Sequence, residues 1–132
     1  MLSVFFVSCV HAQKGSYHKE NVSVIRNTSD TSGSDVLLLI FETDFNDTAE
    51  IYVGKERVYT GILKTNKRLQ AVPTVIRLSP GEKRDETNIS VFLKNQLVFV
   101  EFPYLQGYEY VFVTRWKRTW YVEYTNYMKD LR

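Results

Sequence analysis

Residues Tyr108 to Thr125 read YEYVFVTRWKRTWYVEYT, and this stretch decides the fold. Two runs dense in aromatic and β-branched residues, Tyr108 to Arg115 and Thr119 to Thr125, flank a polar break. Such residues suit a pleated, half-buried surface. Alternate residues of a strand share a face. The first run therefore splits into Tyr108, Tyr110, Phe112 and Thr114 on one side, and Glu109, Val111, Val113 and Arg115 on the other. The second splits into Trp120, Val122 and Tyr124 against Thr119, Tyr121, Glu123 and Thr125. An even-residue loop sets Arg115 opposite Trp120. Val111, Val113, Val122 and Tyr124 then share the core face. A three-residue loop would place Glu123 opposite Val111 instead.

Outward from this hairpin the same texture recurs. Val22 to Arg26, Val36 to Phe41, Ala49 to Val53, Arg57 to Lys64, Val72 to Ser79, Ile89 to Lys94 and Leu97 to Phe102 are short apolar runs with turn signals between them. That spacing marks a sandwich or barrel rather than alternating strands and helices. Gly54-Lys55 suits a type II′ hairpin turn. Asn95-Gln96 joins another hairpin, and Pro80-Gly81 marks a turn. No stretch of helical length keeps a 3.6-residue period. The expected fold is all-β: a single antiparallel β-sandwich of about eight or nine strands, jelly-roll or immunoglobulin-like. The alternative is a small β-barrel.

The chain has 132 residues, the size of one domain. Its formal net charge is only +2, which argues against a nucleic-acid binder with a basic stripe. Residues 1–12, MLSVFFVSCVHA, read as an export signal. Val10 and Ala12 stand at the small-residue positions before a cleavage ahead of Gln13. No Lys or Arg precedes Lys14, so the basic start of such a signal is missing. Residues 13–20 read as a flexible lead-in, and 21–132 as the β domain.

Cys9 is the only cysteine and has no internal disulfide partner. With Val7-Ser8 before it, Cys9 resembles the lipobox of bacterial lipoproteins, although Phe6 stands where Leu is usual. That resemblance implies lipidation at Cys9; the alternative is loss of Cys9 with the signal. The expected location is therefore exported: periplasm, outer-membrane surface or extracellular space, with a bacterial envelope favoured. Membrane contact would come only through the lipid anchor. Asn21, Asn27, Asn46 and Asn88 head N-x-S/T sequons, but loops are rich in these residues for turn chemistry anyway.

Catalytic chemistry is sparse. Of the two His, His11 falls in the signal and leaves His18. A zinc site or a nucleophile–His arrangement needs more than that. No Gly-rich phosphate loop is present. No catalytic residue, metal or cofactor is expected.

Two binding features stand out. Arg115-Trp116-Lys117-Arg118-Thr119-Trp120 holds three cations and two Trp, a set able to grip an anionic sugar, lipid headgroup or phosphate. The bland alternative is a solvated hairpin tip. The non-core face of the hairpin carries Tyr108, Tyr110, Phe112 and Tyr121 beside Thr114, Glu123 and Thr125. Rings beside hydroxyls and a carboxylate resemble the platforms of β-sandwich carbohydrate-binding modules. The competing reading has that face packed under another segment. The expectation is a non-enzymatic binding module for a glycan or protein partner, with ligand-binding residues Tyr108, Tyr110, Tyr121, Glu123, Arg115, Trp116 and Trp120. The alternatives are an envelope interaction subunit or inhibitor using a sheet edge, and a small glycan-active enzyme with paired carboxylates.

Overall fold

The computed structural model describes residues 15–27, 36–43, 45–69, 71–79 and 87–127. Ten strands follow in chain order: β1 (His18–Lys19), β2 (Asn21–Arg26), β3 (Leu37–Phe41), β4 (Asn46–Val53), β5 (Glu56–Lys64), β6 (Val75–Leu78), β7 (Asn88–Leu93), β8 (Val98–Pro103), β9 (Tyr110–Trp116) and β10 (Thr119–Thr125). They form two five-stranded sheets, β1-β8-β7-β4-β5 and β2-β10-β9-β3-β6. The sheets pack face to face as a β-sandwich, as the sequence leads one to expect.

Alternation explains the core. β4, β7 and β8 turn Ala49, Ile51, Val53, Ile89, Val91, Leu93 and Val100 inward, and all are buried. Leu37, Leu39, Phe41, Val111, Val113, Trp120, Val122 and Tyr124 meet them from the second sheet. The β9–β10 register is the one an even loop demands: Arg115 opposes Trp120 and Val113 opposes Val122. At the β4–β5 turn Gly54 takes φ +61, as the first central residue of a type II′ turn must.

Three details depart from the sequence reading. First, the sandwich is not purely antiparallel, because β1–β8, β2–β10 and β3–β9 are parallel pairs. Parallel partners need long connections, so local hairpin signals do not reveal them. Second, β1 lies in the segment read as a flexible lead-in. His18 and Lys19 pair with Val98 and Phe99 on one sheet, and after Glu20 the chain crosses to pair with β10 on the other. Backbone pairing overrides the polar composition there, because a sheet edge accepts polar side chains. Third, Leu97 is a turn residue at φ +56 rather than the first residue of a strand. The export segment and Cys9 lie outside the described residues.

The outer face of the first sheet holds a closed aromatic cluster. Phe92 stacks on Phe99 at 5.2 Å between ring centroids. Tyr52 and Tyr17 meet Phe92 edge-on at 5.6 and 5.2 Å. Tyr17 comes from the segment before β1 and packs against this cluster. No described helix is long and apolar enough to cross a membrane.

Candidate functional site

The polar groups of the sandwich converge at the end where the β7–β8 and β9–β10 turns lie side by side. Arg115 is the last residue of β9 on the core-facing side, beside Trp120. A guanidinium so placed needs an acid. Glu20, 5% exposed, supplies it from the crossover between β1 and β2. Arg115 Nε donates to Glu20 Oε1 at 2.8 Å and Nη2 donates to Oε2 at 2.9 Å. This is the bidentate fork that Arg forms with a carboxylate. Trp120 Nε1 also donates to Glu20 Oε1, at 2.8 Å. Burial alone would raise the Glu20 pKa. The hydrogen bonds from Arg115 and Trp120 and the Arg115 charge outweigh it and hold the carboxyl below its usual value.

The network continues outward. Arg115 Nη1 donates to Gln96 Oε1 at 2.9 Å. Gln96 Nε2 donates to Asp47 Oδ2 at 3.4 Å. Asp47, buried at the start of β4, also accepts the backbone N–H of Asn95 at 2.9 Å and of Gln96 at 3.3 Å. Asp47 thus caps the β7–β8 turn and fixes which way the Gln96 amide faces. Five side chains from four parts of the chain form one continuous network.

Above this floor lies an open hollow of about 500 Å³, whose rim carries Asn46, Trp116, Lys117 and Arg118. A second lobe of about 410 Å³ lies beside it, bounded by His18, Glu20 and Val98. Gln96, Arg115 and Arg118 line both lobes. Trp116 is 58% exposed, and Lys117 Nζ sits 5.6 Å from its ring centroid. Among the described residues, Lys117 and Arg118 make no ion pair.

The rim turns are conformationally expensive. Lys117 and Arg118 have φ of 50° and 67°, and Leu97 has φ of 56°. These are all the non-glycine positive-φ residues among those described, and all sit in the two turns beside the hollow. The left-handed region costs an ordinary residue roughly 1–2 kcal/mol. A two-residue turn with both centres left-handed usually takes Asn-Gly; this one takes Lys-Arg.

The sequence-predicted residues divide. Arg115 and Trp116 do come together here, Arg115 in the floor and Trp116 on the rim. Trp120 is a correction: it is fully buried, with its N–H committed to Glu20. Tyr108 is another. It lies in the core, 5% exposed, with its ring 5.7 Å from that of Tyr124. Alternation fails for Tyr108 because β9 begins only at Tyr110. Gly107 at φ +91 turns the chain, and Asn126 holds it by accepting the Glu109 N–H and donating to Gly107 O. Tyr110 and Glu123 stay half-buried on the outer face of the second sheet, where Tyr121 is 41% exposed and Phe112 is buried. The expected three-tyrosine platform is therefore absent as a unit.

Sequence reasoning assigns no ligand role to Glu20, Asp47, Gln96, Asn46 or His18. One signal pointed to Glu20. With an even loop Arg115 falls on the core face opposite Trp120, and an Arg on that face calls for a carboxylate. No group of three or more His, Cys, Asp or Glu able to hold a metal occurs among the described residues. Compared with family models, curated proteins and solved structures, the chain matches none.

Proposed function

We propose that this is a non-enzymatic binding domain that captures an anionic ligand, an acidic glycan foremost, in the hollow between the β7–β8 and β9–β10 turns. The observation that carries this reading is the strained Lys117-Arg118 turn. Two adjacent cations occupy left-handed positions where Asn-Gly would be easier. Strain of this kind tends to persist where it serves a site. Both cations line the hollow beside exposed Trp116, a ring able to stack on a sugar.

The chemistry at the hollow favours binding over catalysis. Glycoside hydrolysis needs a carboxylic acid with a raised pKa. Glu20 is held low and locked in a fork with Arg115. Asp47 is committed to backbone N–H groups. The test is calorimetric titration with a panel of neutral, carboxylated and sulfated oligosaccharides. Acidic members should bind, and Arg118→Ala should weaken them about tenfold, the loss of one charge-assisted contact. A panel bound without regard to charge would overturn the reading.

A second reading rests on β2. It is an outer strand of its sheet, and Val24 and Ile25 on it are exposed. A partner protein adding a strand there would make the domain an interaction subunit. The proposed setting is outside the cell, with the chain either cleaved before Gln13 or lipidated at Cys9. Mass spectrometry of the mature N-terminus separates the two.

A further inference from the structure

The hollow has two lobes of different chemistry, and the proposal below rests on the anion-binding reading above. The first lobe offers an aromatic ring, an ammonium and a side-chain amide in Trp116, Lys117 and Asn46. The second offers no exposed aromatic ring. Its own residues are the exposed imidazole of His18, the apolar side of Val98 and the committed carboxylate of Glu20. Between them runs a shared ridge of Gln96, Arg115 and Arg118. On that ridge Arg115 is neutralised by Glu20 and anchored through Gln96, so Arg118 is its one cation without an ion pair among the described residues.

We infer that the hollow reads an acidic oligosaccharide lengthwise, with one acidic unit stacked on Trp116 and the chain continuing over the ridge to His18. A single anion would use Lys117 and Arg118 and leave the second lobe empty. A longer chain reaches both lobes, with Arg118 serving the acid group at the ridge and the His18 imidazole offering a hydrogen bond to the next unit. Each lobe lies within the 300–1,000 Å³ range of small-molecule sites. The floor beneath is rigid because every polar atom named in it has its partner. Ligand length is then read by a fixed groove rather than by a closing loop.

The experiment is a length series of oligogalacturonates, from one unit to four, titrated into the wild-type chain, Trp116→Ala, His18→Ala and Lys55→Ala. A parallel series of heparin-derived oligosaccharides covers sulfate in place of carboxylate. Lys55 lies in the β4–β5 turn, away from the hollow, and controls for general charge loss. The expected result is a rise in affinity of tenfold or more between one unit and three. Trp116→Ala should weaken every length. His18→Ala should weaken only the longer members, about three- to tenfold, and Lys55→Ala should change nothing. A His18→Ala chain that binds all lengths like wild type, while Trp116→Ala does not, would confine the ligand to one lobe. That result sinks this inference and leaves the anion-binding reading standing. No saturable binding of any acidic member would remove both.

Discussion

Trp116 and Trp120 are four residues apart and mark two regions that share a wall but little else. The floor around Trp120 is largely buried, fully paired and held by residues from four parts of the chain, with Gln96 alone exposed. The rim around Trp116 is exposed, cationic and conformationally strained. The floor spends its polar groups on each other, which fixes geometry. The rim leaves its polar groups facing water, which leaves them open to a ligand. Stability and the proposed binding should therefore be separable by mutation.

The comparison can be broken most sharply at Glu20. Glu20→Ala would leave the Trp120 N–H buried without its acceptor and the half-buried Arg115 guanidinium without its acid, held only by Gln96. Breaking a buried pair from one side costs about 3–5 kcal/mol, and urea denaturation should show a loss of that order. A loss below about 1 kcal/mol would mean that the floor is not structural. Acid should act through the same group. The Glu20 pKa is depressed in the folded chain. Its contribution is therefore full above the usual glutamate value of about 4.3 and is lost as pH falls further, through the folded value. Glu20→Gln should flatten the stability–pH curve below about pH 4 relative to wild type. An unchanged acid slope would remove Glu20 as its source.

Asp47→Ala comes next in size. It removes the acceptor for two backbone N–H groups and for the Gln96 amide, at about 1–3 kcal/mol. Affinity should fall with it, because Gln96 loses its support. A variant with lowered stability and wild-type affinity would show that Gln96 does not shape the hollow.

The rim should respond in the opposite direction. Replacing Lys117-Arg118 by Asn-Gly relieves two left-handed residues and should stabilise the chain by about 1 kcal/mol while weakening anion binding. A stability loss instead would show that the turn is favoured by contacts rather than tolerated for function. The smallest effect is expected from Trp116→Ala, within about 0.5 kcal/mol in stability. In the wild type, ligand should quench only the fluorescence of exposed Trp116, with buried Trp120 as an internal reference. Quenching that survives Trp116→Ala would place the ligand elsewhere.

Much of the sandwich was legible in the sequence, and the reason is local. A hairpin such as β9–β10 carries its register in adjacent residues, so Arg115 opposite Trp120 was one of two registers the sequence left open, set by loop length. β1 could not be read, because His18 and Lys19 are polar and their partner lies far along the chain. Exposure was less legible still. Tyr17 covers Phe92 on the first sheet, whereas Tyr121 on the second is open. No pattern of alternate residues says which outer face another segment will cover. The candidate site was half visible for the same reason. Arg115, Trp116, Lys117 and Arg118 are contiguous, but Glu20, Asp47 and Gln96 reach them only through the fold.

The crossover at Glu20 also fixes where the chain enters. β1 runs parallel to β8 and pairs His18 with Val98, at the hollow itself. Whatever is attached upstream is therefore leashed to the rim's end of the molecule and not to the far end. An anchor at Cys9 would hold the hollow within about 30 Å of the attachment point, the reach of the intervening residues fully extended. Such a tether would make the proposed groove a surveyor of the nearest surface, with any target set by reach as much as by recognition.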